Sequence, residues 1–358
     1  MYIYLHLPFC NSICNYCDFP KMLYEKKWIE KYLLALKKEI EERYHQEKVK
    51  TIYIGGGTPT CLDTKELKEL LDLTKLFNKE KKIEFTIESN IESLTTEKIK
   101  ILKEYGINRI SLGVQSFHNN ILKELNRHHT KEMIKQVIDE LKQHNFNNIS
   151  VDYIYGINDN INIIKEDIQY FLSLDIPHIS CYSLMIEEGT IFKINNRNNI
   201  NEEIEEKMYR LIEQNLESNN YHHYEISNYA KDNYESIHNI NYWNNGDYLG
   251  FGLGAVSFQN NIRRTNTKNL SKYMNNIYLQ EEVYENIDVR ISNTLILGLR
   301  KINGISISNF KKKYQKDLLE IDSIKELLKE GLLEKSNDHI KIPKKYIYAS
   351  NEILIHFI

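Results

Sequence analysis

Residues 6–19 read His6-Leu-Pro-Phe-Cys10-Asn-Ser-Ile-Cys14-Asn-Tyr-Cys17-Asp-Phe19, which places three cysteines on one short stretch directly after an apolar and aromatic run. Three thiolates on one loop can hold three irons of a 4Fe-4S cluster, which leaves the fourth iron open to an outside molecule. A structural zinc site is the alternative. Zinc takes a fourth Cys or His, however, and Cys61 and Cys181 form no second Cys-x-x-Cys pair. The spacing therefore favours a cluster.

The run before these cysteines is the first of six that predict β-strands. Stretches rich in β-branched and aromatic residues occupy residues 2–6, 51–55, 83–88, 108–113, 148–154 and 178–184. Polar stretches with helical spacing separate them, at residues 29–44, 64–77, 96–105, 131–144 and 161–174. Repeated βα units predict an α/β fold with parallel strands, either an open doubly wound sheet or an incomplete TIM-like (β/α)6 barrel. Both architectures place function at the carboxyl ends of the strands.

Glycines and polar residues follow the strands at these ends. Gly55-Gly-Gly-Thr58-Pro59 ends the second strand, where backbone without side chains can approach a ligand and present N–H groups to a carboxylate. A glycine run alone also fits a tight βα turn. Four polar residues lie at strand ends or in the loops that follow, namely Glu88, Gln115, Arg127 and Asp152. Together they could bind the amino group, ribose hydroxyls and carboxylate of a nucleotide-bearing ligand, whereas each alone is more often an ordinary loop residue.

The overall composition restricts the classes of partner. The formal net charge is -3, from 47 basic and 50 acidic residues, so nothing indicates nucleic acid or an anionic membrane as the principal partner. No apolar run approaches the roughly 20 residues of a membrane span, and residues 1–5 lack the basic start of a signal peptide. Clustered thiols indicate a reducing compartment rather than a disulfide framework. We expect a cytoplasmic protein.

The cysteine motif followed by the GGGTP loop resembles the radical S-adenosylmethionine (SAM) superfamily, and within it the branch of oxygen-independent coproporphyrinogen III oxidase and the HemW heme chaperones. Residues 84–90 are similar to that branch's ExTxExN strand and residues 108–117 to its NRxSxGVQSF strand. The resemblance implies a 4Fe-4S cluster on Cys10, Cys14 and Cys17. It also implies SAM contacts from Tyr4, Gly56, Gly57, Thr58, Glu88, Gln115, Arg127, Asp152 and Ser183.

Two features favour the heme chaperones over the oxidase. Phe19 stands where the resembled oxidase has a further cysteine, and only five residues precede His6, where the oxidase carries a sizeable segment. Residues 238–243 and 248–255 also look like the HNxxYW and YxGxGxGA motifs of HemW, which makes His238 a candidate axial heme ligand. A lone histidine is more often structural. Ser236 stands where many relatives have Cys, so a thioether link to heme through that position is not available.

These observations predict three regions. Residues 1–230 form a radical SAM core barrel, residues 231–289 form a connecting region with the two HemW-like motifs, and residues 290–358 form a small α+β, winged-helix-like domain. In the last region we interpret the basic run Lys311-Lys312-Lys313 as a solvated helix face.

The expected function is a heme chaperone that binds heme and transfers it to an acceptor protein, with a 4Fe-4S cluster and exchangeable SAM. An electron donor such as flavodoxin or ferredoxin would reduce the cluster. The alternative is an oxygen-independent coproporphyrinogen III oxidase, which decarboxylates a porphyrinogen propionate by radical SAM chemistry. A zinc-stabilised binding module is a third interpretation.

Overall fold

The computed structural model describes all residues from 1 to 358. Its strands are β1 (Tyr2–Leu7), β2 (Phe9–Cys10), β3 (Met22–Leu23), β4 (Val49–Gly56), β5 (Lys79–Asn90), β6 (Arg109–Gln115), β7 (Asn148–Tyr155), β8 (His178–Ser183), β9 (His222–Glu225), β10 (Asn228–Ala230), β11 (Leu249–Phe251), β12 (Val256–Gln259), β13 (Ile262–Asn266), β14 (Leu279–Tyr284), β15 (Ile305–Ser306), β16 (Glu334–Ser336) and β17 (His339–Lys341).

Its α-helices are α1 (Lys26–Arg43), α2 (Thr64–Leu73), α3 (Thr96–Glu104), α4 (Asn119–Glu124), α5 (Lys131–Gln143), α6 (Ile161–Ser173), α7 (Ile191–Ile194), α8 (Glu202–Glu217), α9 (Ile237–Trp243), α10 (Leu270–Met274), α11 (Ile287–Gly298), α12 (Ile307–Tyr314), α13 (Asp322–Lys329) and α14 (Ser350–Leu354). None of them combines the length and the apolar character that crossing a membrane requires.

A nine-stranded sheet with the order β11-β1-β4-β5-β6-β7-β8-β10-β9 forms the body of the molecule. The strands from β11 to β8 are parallel, and β10 and β9 add antiparallel strands at the far edge. All six predicted strands are present as β1, β4, β5, β6, β7 and β8, and the predicted helices follow them. The prediction of an incomplete (β/α)6 barrel is therefore confirmed, because β11 and β9 remain as two separate edges.

The sheet separates a polar inner face from an apolar outer face. In β6, Ile110, Leu112 and Val114 are fully buried and alternate with Arg109 and Ser111 on the other side. The helices cover the apolar side. Helix α5 shows why they do so, because Ile134, Val137, Ile138 and Leu141 recur at helical spacing and are buried. Burial of each such side chain contributes roughly 1.5–3 kcal/mol.

The C-terminal region forms the small α+β unit that the sequence predicts. An antiparallel sheet with the order β15-β17-β16 packs with α11, α12 and α13. One continuous hydrophobic core runs from the barrel into this unit. Residues 231–289 do not only connect the two, since they supply β11 to the main sheet and also form the sheet β12-β13-β14. The division of the chain at residues 230 and 289 stays a prediction.

Candidate functional site

The cysteine loop begins where β1 ends. Phe9 and Cys10 form β2, which pairs with Met22 and Leu23 of β3, so the loop returns to its starting point. All five cysteines of the chain are free thiols. Cys10 is buried, and Cys14 and Cys17 are half-buried. The fold thus presents three free thiols on one short loop at the carboxyl end of the first barrel strand.

Hydrogen-bond donors face two of these sulfur atoms. The Thr58 hydroxyl lies 3.6 Å from Cys10 Sγ, and Nη1 of Arg127 lies 3.4 Å from Cys14 Sγ. Burial raises the pKa of the Cys10 thiol to about 11, and the Thr58 donor opposes this effect. Donors directed at sulfur favour a thiolate, which is the form that binds iron.

The three thiols are compatible with a 4Fe-4S cluster on Cys10, Cys14 and Cys17. In such a cluster each thiolate would bind a different iron and leave the fourth iron open. The zinc interpretation would need a fourth Cys or His, and Cys61 and Cys181 form no second Cys-x-x-Cys pair.

The glycine run after β4 packs against the cysteine loop. A Cβ atom on Gly57 would lie 2.6 Å from the Phe9 carbonyl oxygen and 2.9 Å from Cys10 Sγ. Gly56 has φ +114°, and a Cβ atom there would lie 2.5 Å from the His6 ring. Only glycine fits at these two positions, because a side chain would displace the backbone from the cysteine loop.

The prediction that the N–H groups of this glycine run bind a ligand carboxylate is wrong in this structure. The N–H of Gly57 donates to the Leu7 carbonyl and that of Thr58 to the Phe9 carbonyl. The N–H of Gly56 donates to Oε2 of Glu88 at 2.9 Å. These donors join neighbouring strands, so a ligand carboxylate would have to be bound by other groups.

Glu88 is the buried acid at the end of β5. Its Oε1 accepts from the Tyr53 hydroxyl at 2.8 Å, and its Oε2 accepts from Gly56. Burial raises the pKa of the Glu88 carboxyl to about 7, although both hydrogen bonds favour the ionised form. Burial also raises the pKa of Asp152, whose carboxylate accepts from the Ser111 hydroxyl at 3.3 Å. Two acids with raised pKa values therefore face the barrel interior.

Asn90, at the end of β5, links Thr58 of the glycine run to Arg127. Its Nδ2 donates to the Thr58 hydroxyl at 3.0 Å, and its Oδ1 accepts from Nη2 of Arg127 at 2.9 Å. Arg127 also donates to the Gly113 carbonyl and to Cys14. In the sequence, Asn90 is the last residue of the ExTxExN-like stretch at residues 84–90, and it was not predicted as a site residue. Asn90 thus orients the Arg127 guanidinium, which faces Cys14.

Gln115 ends β6 in a left-handed conformation with φ +71°, beside an irregularity in the pairing with β7. Non-glycine residues adopt this conformation infrequently, and strained backbone is concentrated at functional sites. Ser183 lies at the end of β8 and donates to Oε1 of Glu205 at 2.7 Å. Most of the predicted site residues therefore lie at the carboxyl ends of β4, β5, β6 and β8 or in the loops that follow, whereas Tyr4 and Asp152 lie within β1 and β7.

A cavity of about 370 Å³ lies beside β1. Tyr4 and His6 line it from the strand, Phe19 from the cysteine loop, and Tyr242 and Tyr248 from the connecting region. The Tyr4 hydroxyl lies 2.9 Å from Nδ1 of His6. Tyr4 therefore faces a cavity that both the cysteine loop and the HemW-like motifs approach.

His238 lies in the closed interior rather than at this cavity. His238 is only 1% exposed. Nδ1 lies 2.7 Å from the Thr51 hydroxyl, and Nε2 lies 2.8 Å from the Tyr242 hydroxyl. Burial lowers the pKa of His238 to about 3, so the ring is neutral. Both ring nitrogens are already in hydrogen bonds, and bonding to iron would require one of these bonds to break.

The sequence analysis missed Arg109, which is 2% exposed on the inner face of β6. Its guanidinium makes no hydrogen bond, and its Nε is buried without a partner. Its charge partly offsets the effect of burial on the pKa values of Glu88 and Asp152. The alternation of Arg109 and Ser111 with Ile110 and Leu112 was the signal that could have placed it inside the barrel.

Comparisons with known proteins show what the chain is similar to. Residues 4–171 match the model of the radical SAM superfamily, and residues 288–345 match that of the HemN C-terminal domain. The heme chaperone HemW of Lactococcus lactis subsp. lactis (strain IL1403) is 35% identical over 99% of this chain and 96% of its own length. The heme chaperone HemW of Bacillus subtilis (strain 168) is 34% identical over 99% of this chain and 98% of its own length.

The chain belongs to the HemW family of radical SAM proteins. Its fold also resembles a solved structure of coproporphyrinogen III oxidase (HemN) from Escherichia coli, with a TM-score of 0.87 and 21% identity over 99% of this chain and 89% of that chain. At that identity the likeness concerns the fold alone. The radical SAM match covers residues 4–171, which include the cysteine loop, the glycine run, Glu88 and Asp152.

Proposed function

We propose that this chain is a heme chaperone, which binds heme and passes it to an acceptor protein. The observation that carries the proposal is the full-length similarity to relatives named heme chaperone HemW, at 34–35% identity over 99% of the chain. The free thiols of the cysteine loop indicate a reducing compartment, and we therefore place the protein in the cytoplasm.

In this proposal Cys10, Cys14 and Cys17 hold a 4Fe-4S cluster, and SAM binds beside it. When bound and reduced by a donor such as flavodoxin or ferredoxin, the cluster supplies one electron to SAM. Arg127 fixes the Cys14 side of the site through its contacts with sulfur and Asn90. The residues proposed to contact SAM are Tyr4, Gly56, Gly57, Thr58, Glu88, Gln115, Arg127, Asp152 and Ser183. These residues lie on the parallel strands or in the loops at their carboxyl ends, where barrel enzymes bind their ligands, and this position supports the assignment.

The oxygen-independent coproporphyrinogen III oxidase remains the alternative, because its fold is shared. Phe19 argues against it. This residue stands where the resembled oxidase carries a further cysteine, and here it is 63% exposed and lines the cavity beside Tyr4. A phenyl ring at this position offers an apolar contact to a ligand and no ligand for iron.

The proposed function is tested on anaerobically purified protein with a reconstituted cluster. Hemin titration is followed by visible absorption, and a parallel assay supplies coproporphyrinogen III, SAM and dithionite. We expect stoichiometric heme binding and no decarboxylation. SAM-dependent formation of protoporphyrinogen would establish the oxidase instead, and absence of heme binding would refute the chaperone. Cys14→Ala should lose the cluster, whereas Cys61→Ser, which keeps a donor to the Phe9 carbonyl, should retain it.

The role of His238 as axial heme ligand is a separate prediction, and the titration includes it. Tyr242→Phe frees Nε2 of His238 without removing the ring, so it should tighten heme binding if His238 ligates iron. His238→Ala should then lose the corresponding absorption band. An unchanged heme spectrum in both variants would exclude His238 as the ligand.

A further inference from the structure

A cleft of about 330 Å³ lies between α9, α11 and the C-terminal unit, and His238 is not among the residues that line it. Trp243 lines it from α9, and Phe310 and Tyr314 line it from α12. Phe310 and Tyr314 are buried and form the floor of the cleft, whereas Trp243 is half-buried and is the aromatic ring that a flat apolar ligand would contact. The cleft is open to solvent, so a ligand larger than the cleft could be held by one edge.

The same cleft carries positive charge without a compensating carboxylate. Lys301, Lys313 and His339 line it, and none of its 12 lining residues is acidic. Nζ of Lys301 lies 2.5 Å from Oδ1 of Asn244, and Nζ of Lys313 lies 3.2 Å from the Asn245 carbonyl oxygen. Neither lysine forms an ion pair. Both ammonium groups therefore reach only neutral oxygens.

The two lysines are also close enough to repel each other. Burial lowers the pKa of Lys301, and the charge of Lys313 lowers it further. An anionic ligand would relieve this repulsion. The basic run in α12 is thus not uniform, because Lys311 pairs with Asp317, Lys312 has no contact with the cleft, and Lys313 faces it.

The geometry points to this cleft as the place where the chain holds heme, with the two propionates on Lys301 and Lys313 and the ring against Trp243. Heme held here would not have His238 as its iron ligand, because His238 does not line the cleft. This assignment rests on the proposed function and names the site for it. A flat aromatic ligand with two carboxylates matches both the Trp243 ring and the two unpaired lysines. Partial enclosure suits a cargo that must be released to another protein.

The test compares variants in which an uncharged methionine replaces the lysines of the cleft or the neighbouring lysine on α12. Lys313→Met and the double variant Lys301→Met, Lys313→Met are titrated with hemin, and Lys312→Met is the matched control on the same helix. We expect the double variant to bind heme at least tenfold more weakly and Lys312→Met to stay within twofold of wild type. Iron content and thermal unfolding, measured on each variant, show that the cluster and the fold are retained.

Heme dimethyl ester is the second probe, because it keeps the ring and removes the propionate charges. Wild type should bind it as weakly as the double variant binds heme, and the double variant should bind both forms equally. Equal heme affinity in wild type and the double variant would overturn the assignment, and so would an equal loss in Lys312→Met. Absence of heme binding by wild type would instead refute the proposed function.

Discussion

Glu88 illustrates how a single buried acid at a ligand site reduces the stability of the fold. Its folded-state pKa is about 7 against a usual value of 4.5, so folding takes up a proton between these pH values. The destabilisation that Glu88 causes is therefore absent below pH 4.5 and grows as the pH rises from about 4.5 to about 7. Its full size is roughly 3 kcal/mol.

Glu88→Gln should remove this penalty and also weaken SAM binding. The amide can still accept from Gly56 and can donate to Tyr53, so the packing is preserved. We expect the stability advantage of the variant to increase by roughly 2–3 kcal/mol between pH 5 and pH 8. Urea unfolding of both proteins at the two pH values measures it. A difference that does not change with pH would show that Glu88 titrates normally.

The sequence predicted where the proposed site residues lie along the fold better than it predicted their contacts. Cys10 and Glu88 could be placed at strand ends because chain order and periodicity determine strand ends. The partners of His238 could not be inferred, since Thr51 is 187 positions away and meets it only when α9 packs on β4. The N–H groups of the glycine run were misjudged for the same reason. Their acceptors lie on β1, β2 and β5, and the register between strands is not visible in the sequence.

At the level of elements, α1 holds the HemW-like glycine segment through one buried carboxylate. Glu39 has no exposed surface, and its carboxylate pairs with Arg43. It also accepts from Asn266 Nδ2 at 2.7 Å and from the N–H of Gly252 at 2.9 Å. The segment that supplies β11 to the sheet therefore depends on a network centred on a different element.

Glu39→Ala should lower the free energy of unfolding by roughly 3–5 kcal/mol, because it leaves Arg43 and several other buried groups without a partner. Glu42→Ala is the matched control on the same helix, since Glu42 is exposed and only reaches Lys38 at 3.9 Å. It should change stability by less than about 1 kcal/mol. Urea unfolding gives both values, and limited proteolysis should cut residues 249–266 faster in Glu39→Ala. Similar stability of the two variants would contradict the network.

The elements that the sequence failed to predict share one property. Helix α9 and strand β11 are short, so their periodicity is weak, and their structure depends on distant partners. The long helices α1 and α5 were predicted to within a few residues, because an apolar stripe over three or more turns specifies a helix locally. Local pattern was sufficient for the barrel and insufficient for the region that packs on it.

At the scale of the whole molecule, the barrel and the C-terminal unit share one hydrophobic core. The N–H of Ile226 donates to the Arg300 carbonyl, and the N–H of Ile302 donates to the Tyr224 carbonyl, which joins them through the backbone as well. Leu299 is fully buried between these contacts. The two parts should therefore unfold together.

A chain that ends at residue 289 should aggregate or remain partly unfolded, because its barrel would expose the apolar surface that α11 covers. Deletion of Ile358 alone is the control, since that residue is 95% exposed. Calorimetry of the full chain should show one transition, and size-exclusion chromatography compares the two deletions. A monomeric truncated chain with an unchanged melting temperature would show that the barrel folds independently.

The position of Trp243 in the cleft has a practical consequence for following cargo in real time. The chain contains only two tryptophans, and the other one, Trp28, lies on α1. Replacing Trp28 with Phe would leave a single indole emitter at the wall of the cleft. Its fluorescence would be quenched when heme occupies the cleft and recover when heme leaves. Release to an acceptor could then be timed by stopped flow without attaching any dye.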